Sequence, residues 1–153
     1  MMMLVSYPAL FYFENSEGYE PGFSVFFPDF PNTGGTSGST ISEALEMASD
    51  YLGIMLADDI EEDREVPKPS LISSLSLDKN NPFKDDPDFK HVYDSEKSFI
   101  SMVGVDLSEY LGSNEPVKKT LTIPRWANKL GKDLDLNFSK TLTDAIVEKK
   151  IGV

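Results

Sequence analysis

The run TISEALEMASDYLGIML, residues 40–56, reads as an amphipathic helix with a marked start. Thr40 and Glu43 have capping-box spacing, in which hydroxyl and carboxylate reciprocally satisfy the backbone donors that a helix start leaves free. Ile41, Ala44, Leu45, Ala48, Tyr51, Leu52, Met55 and Leu56 recur at helical spacing, with Glu43, Glu46 and Asp50 on the opposite face. The helix runs out into the acidic stretch Asp58–Asp63. Acids at a helix C-terminus oppose the macrodipole, so something other than helix propensity must hold that end.

Upstream, YPALFYFE (Tyr7–Glu14) and GFSVFF (Gly22–Phe27) are aromatic and β-branched runs separated by the turn-rich NSEGYEP. They predict a hairpin or two adjacent strands. Pro28-Asp29-Phe30-Pro31-Asn32 is a turn, and the Gly/Ser/Thr stretch through Ser39 has room for one short strand. Downstream, Pro67-Lys68-Pro69 is a rigid break and residues 78–97 are polar and proline-broken, a long surface loop. FISMVGV (Phe99–Val105) is strand-like, Asp106–Tyr110 turns into a short helix, and Gly112–Pro116 is a linker rich in breakers.

The 153 residues carry 40% hydrophobic and 11% aromatic side chains, enough for a core, and no cysteine, which excludes disulfides and thiolate chemistry. The start, Met1–Val5, has no basic run, and its apolar stretch stops at Ser6. The expectation is a soluble, cytoplasmic chain without a membrane span. A net charge of −12 would repel nucleic acid, but it is unevenly spread. Residues 116–153 hold eight basic and four acidic groups, net +4, which leaves −16 on the first 115. Two parts meeting partners of opposite charge are expected.

The basic part begins with KKTLTI (Lys118–Ile123), which alternates polar and apolar residues as a strand does. Pro124 opens a helix with Trp126, Ala127, Leu130 and Leu134 on one face. Asn137 is a good N-cap for a second helix, Phe138–Ile151, with Leu142, Ala145 and Ile146 as its apolar face and Gly152 just beyond its end. A lone strand and two thin helices have too little core to stand alone. The economical solution is a homodimer in which two copies of the strand pair, burying Leu121, Ile123, Trp126, Leu130, Leu142 and Ile146.

This strand–helix–helix unit resembles the ribbon-helix-helix DNA-binding domain, through the K-x-T-x-T-I-P strand and the N-F-S-K start of the second helix. The resemblance implies a ribbon in the major groove and a helix N-terminus gripping phosphate. Lys118, Thr120 and Thr122 share the polar strand face that would read base edges, with Lys119 at the start of the other face. The start of the second helix, Asn137, Phe138, Ser139 and Lys140, would hold the phosphate. Most of the chain, the tail included, resembles the HicB antitoxin family through GFSVFFPDFP (Gly22–Pro31), TISEALEMA (Thr40–Ala48), VPKPS (Val66–Ser70), VDLSEYL (Val105–Leu111), TLTIPRW (Thr120–Trp126) and NFS (Asn137–Ser139). Asn32-Thr33-Gly34-Gly35 departs from the family's pattern after the F-P-D-x-P turn.

That resemblance implies an α+β fold: a partial RNase H-like toxin-binding domain, an antiparallel sheet with a helix, at 1–111, a linker at 112–117 and a ribbon-helix-helix domain at 118–153. It implies neutralisation of a small basic RNA-cleaving toxin of the HicA kind, and autorepression of the operon through operator DNA, by a homodimer or a higher assembly built from it. Asp29, Glu43, Glu46 and Asp50 are the candidate toxin contacts. No catalytic residue, cofactor or metal is expected. The sole histidine, His91, reads as an exposed loop residue, and the acids 58–63 as a solvated helix end, because nuclease metal sites draw carboxylates from separate elements. A stand-alone regulator sensing a small ligand would use the same tail and need a pocket in the first domain. A nuclease would need a carboxylate or histidine constellation that the sequence does not assemble.

Overall fold

The sheet is built around β1 (Leu4–Glu14), whose middle residues are buried on both faces. β2 (Gly22–Phe26) and β4 (Asp94–Asp106) flank it, and the short β3 (Thr36–Gly38) adds to β2, giving the all-antiparallel order β3-β2-β1-β4. A computed structural model describes residues 2–31, 33–112 and 117–152. Most of the expected linker and Asn32 of the turn lie outside the described residues. β1 starts three residues earlier than the alternation suggested, and β4 reaches back into the expected loop.

One face of the sheet carries Tyr7, Ala9, Phe11, Phe23, Val25, Val103 and Val105, all buried against α1 (Ile41–Glu61). Ala44 and Ala48 keep the helix close to the sheet while Leu52 and Leu56 fill the space beyond them. Full burial of such a leucine contributes about 1.5–3 kcal/mol. The helix start forms as expected, with the Thr40 hydroxyl accepting the Glu43 N–H at 3.1 Å. Its acidic end is held by Arg64, which ion-pairs with Asp58 and with Asp59, the latter at 2.9 Å.

The other face, Leu10 and Tyr12, is also fully buried, and what covers it is the segment expected to be a surface loop. The Tyr12 hydroxyl donates to the Leu77 carbonyl at 2.7 Å. Phe83 packs edge-on against Phe26, and Tyr93 against Tyr12, at centroid distances of 5.5 and 4.8 Å. His91 is therefore not an exposed loop residue: its side chain is 3% exposed. Asn81 Nδ2 donates to its Nδ1 at 3.0 Å, and its Nε2 donates to Glu14 Oε2 at 2.5 Å. The polar, proline-broken composition of 78–93 concealed four rings, Phe83, Phe89, His91 and Tyr93, packed on one another.

The ladder has a readable phase. Leu107 N–H donates to the Met3 carbonyl at 2.9 Å, one step past the Leu4–Asp106 pair. Antiparallel pairs alternate between bonded and non-bonded, so odd-numbered residues of β4 from 99 to 105 bond to β1 and the even-numbered ones turn their N–H and C=O outward. The same phase explains a proline in an inner strand. Even residues of β1 face β2, whose pairing with β1 ends at Leu10–Phe26, so Pro8 lies just beyond the ladder and loses no bond.

The tail departs from expectation in one element. Residues 117–124 form no strand, because the single chain holds nothing for that strand to pair with. Two helices follow, α2 (Arg125–Asp133) and α3 (Phe138–Ile151). Asn137 caps α3 by accepting the Lys140 N–H at 3.0 Å. Gly152 ends it with φ +82°, a left-handed conformation that glycine adopts without strain. α3 also has a second apolar stripe that the sequence reading missed: Val147 packs on the main core, and Ile151, 1% exposed, belongs to it.

Candidate functional site

Among the described residues no group of three acids or histidines is placed to hold a metal ion. No helix among them is long and apolar enough to cross a membrane. A cavity of about 700 Å³ lies between α3 and the residues Met2–Tyr7, which lead into β1 and begin it, and is bordered by Pro69, Lys140, Asp144, Val147 and Ile151. Its lining is largely apolar, and it follows the part of β1 that β2 leaves uncovered.

Two surfaces remain. The first is the outward face of α1. Glu43 and Glu46 are exposed there with no ion-pair partner among the described residues. Asp50 joins them but accepts the Tyr110 hydroxyl at 2.8 Å, and that hydrogen bond, with burial, pushes the phenol up to about 12. Gly53 makes this contact possible, since a Cβ there would lie 2.6 Å from the Tyr110 ring. Asp29 stands apart from the group. Its carboxylate accepts the Ser70 N–H at 2.9 Å and the Ser70 hydroxyl, fastening the turn after β2 to the segment beyond α1. Asp106 is likewise structural: the Met3 N–H and the Ser108 hydroxyl hold its carboxyl below the usual range and pin the start of β1.

The second surface is the tail. Lys118, Lys119, Thr120 and Thr122 lie on exposed, irregular backbone. Leu121, Trp126 and Ile146 are 54, 67 and 60% exposed, and Ile123, Leu130 and Leu142 are exposed as well. Phe138 and Ser139 N–H sit at the start of α3, but the third expected phosphate donor, Lys140 N–H, is taken by Asn137, and the Lys140 ammonium pairs with Asp144 at 2.5 Å.

Residues 6–76, the β1–β2–β3–α1 unit and the chain just beyond it, match the HicB-like antitoxin of bacterial toxin–antitoxin systems. A solved toxin–antitoxin complex from Streptococcus pneumoniae contains a chain 63% identical to this one, aligned over 97% of this chain and 100% of that one with a TM-score of 0.69. The chain belongs to the HicB-like antitoxin family. Two crystal structures share the fold at lower identity. The HicB antitoxin of Burkholderia pseudomallei is 21% identical, with 95% of this chain and 98% of that one aligned at a TM-score of 0.60. Antitoxin HicB3 is 22% identical, with 96 and 98% aligned at 0.54. No curated protein matches the chain. The family match stops at residue 76, so the aromatic cover at 78–93 and the tail lie beyond it. Within this antitoxin the sequence reading missed His91, Ile151 and the free edge of β4. Only the i,i+4 spacing of Val147 and Ile151 offered a signal in advance.

Proposed function

We propose that this antitoxin silences a small basic HicA-like RNA-cleaving toxin through its acidic first part, residues 1–111. In the same reading residues 118–153 form a ribbon-helix-helix unit that, as a homodimer, binds operator DNA and autorepresses the operon. The observation that supports it most is the state of the tail in the single chain. A basic segment of strand alternation lies unpaired beside Leu121, Ile123, Trp126, Leu130, Leu142 and Ile146, all exposed. Apolar side chains so concentrated on one small unit need a second copy to cover them.

Toxin recognition rests on charge. Glu43, Glu46 and Asp50 occupy one helix face in a part that carries −16 over its first 115 residues, a field that steers a cationic protein. Reversing all three to lysine is expected to slow toxin association by about 10-fold or more at low salt and far less at high salt, where the Debye length is about 3 Å at 1 M. Stopped-flow association at two ionic strengths checks this, and a salt-independent rate would remove these residues from the interface. Asp29→Asn, by contrast, is expected to leave association unchanged, because that carboxylate already serves Ser70.

On DNA the tail residues divide by role. Thr120→Ala or Thr122→Ala should relax sequence preference by about 1–3 kcal/mol for each lost base contact. Lys140→Ala should weaken specific and random DNA alike and flatten the salt dependence, since a lost phosphate contact releases fewer counterions, but only to a small extent, because its ammonium is already paired with Asp144. Titrations of operator and random duplexes at several salt concentrations separate these. Equal losses on both duplexes for the threonine variants would contradict the reading of the strand face.

A further inference from the structure

We propose that the free edge of β4 receives an extended strand of the cationic toxin partner, which continues the sheet beyond β4; this rests on the antitoxin reading above. The ladder phase leaves the N–H groups of Ile100, Met102 and Gly104 pointing away from β1, and no acceptor meets them among the described residues. On the acceptor side, the Met102 and Gly104 carbonyls receive, among the described residues, only the hydroxyls of Ser101, at 3.0 Å, and Ser49, at 2.7 Å. The three donors span roughly 13 Å, the length of a short paired strand.

Sheet edges are ordinarily defended by proline, by charge, by shortness or by a bulge. The opposite edge follows that rule, since β3 has three residues. β4 does not: Phe99–Val105 contains neither a proline nor a charged residue, and the irregularity in its ladder lies near Phe11 and Phe13, at the far end.

The flanks select the occupant. Ser49, bonded to Gly104, brings its helix neighbours Glu46 and Asp50 to one side of the edge. On the other side stand the exposed Met102 and the turn at Ile72–Ser74, which lies against β4. Strand side chains alternate between faces, so the fitting segment alternates Lys or Arg, toward α1, with apolar residues toward Met102. A second copy of this sheet edge fits poorly, because each would bring the same −16 of its first 115 residues to the contact.

Amide hydrogen exchange on the full-length antitoxin, alone and saturated with a HicA-like toxin, tests the assignment. The amides of Ile100, Met102 and Gly104 should exchange at least about 10-fold more slowly in the complex, while those of Ser101 and Val103, already bonded to β1, change little. Met102→Pro removes one outward donor and spares the β1 ladder, so toxin affinity should fall at least about 10-fold, whereas Met102→Ala, which keeps the N–H, should bind nearly as the parent does. A complex in which the three amides exchange as they do in the free antitoxin overturns this inference and leaves the antitoxin reading standing. Failure to form any complex overturns both. Protection that rises with antitoxin concentration without toxin would assign the edge to a second copy, and overturns the inference too.

Discussion

A chain ending at Leu111 is expected to lose dimer formation and all specific DNA binding, and to melt well below the full-length protein. The first two losses follow from the tail's exposed apolar set, which in the proposed dimer is buried only between copies. The third follows from α3, because Ile151 is 1% exposed within the main core and Val147 packs against it. Emptying a buried isoleucine site costs about 2–5 kcal/mol, and about 3 kcal/mol lowers the melting temperature of a chain this size by roughly 10 °C. Full-length Ile151→Ala separates the effects: it should lower the melting temperature and leave the dimer and the operator footprint intact. Sedimentation, footprinting and thermal melts supply the readouts. A truncated chain that still footprinted the operator would refute the tail assignment, and one that melted with the full-length protein would refute the shared core. The fragment, held below its own melting temperature, should still silence the toxin, since the acidic α1 face and the β4 edge remain. Continued RNA cleavage at excess fragment would show that neutralisation needs the tail.

His91→Ala is the second large effect. The ring lies 4.7 Å from Tyr12 and 5.2 Å from Phe83, with Asn81 on one nitrogen and Glu14 on the other. Truncation opens a cavity between the rings and strips partners from a buried amide and a half-buried carboxylate, for a loss of about 2–4 kcal/mol. Tyr12 and Leu10 then lose part of their cover, so residues 78–93 should become protease-sensitive before the sheet does. Limited proteolysis and a thermal melt check this. Cleavage no faster than in the parent would mean that the segment is held by its other contacts.

What the sequence could show was local. The Thr40 and Asn137 caps, the left-handed Gly152, the α1 stripe apart from Ile41 and Leu45, which the structure leaves exposed, the short third strand and the charge split each depend on residues a few positions apart, or on counting. The family resemblance was legible for the same reason, since its motifs are contiguous. Of the proposed contact residues, Glu43, Glu46 and Asp50 share a helix face as their spacing implies, but Asp29 is drawn off by Ser70, 41 residues away, and the Lys140 ammonium by Asp144.

Only the tertiary structure decided the rest, because it depends on which distant segments meet. His91 looked exposed because it sits beside Lys90 in a segment that is polar and proline-broken as a whole, yet Glu14, 77 positions away, and a ring of aromatics bury it. Residues 118–123 alternate as a strand should, but a strand exists only with a partner, and one chain does not supply it. The outward amides of β4 are set by the phase of its pairing with β1, and a shift of one residue would turn the other set outward. Hydrophobic periodicity shows that a face must be covered; which segment covers it is settled by chain geometry and competing burial, and single-chain patterning carries neither.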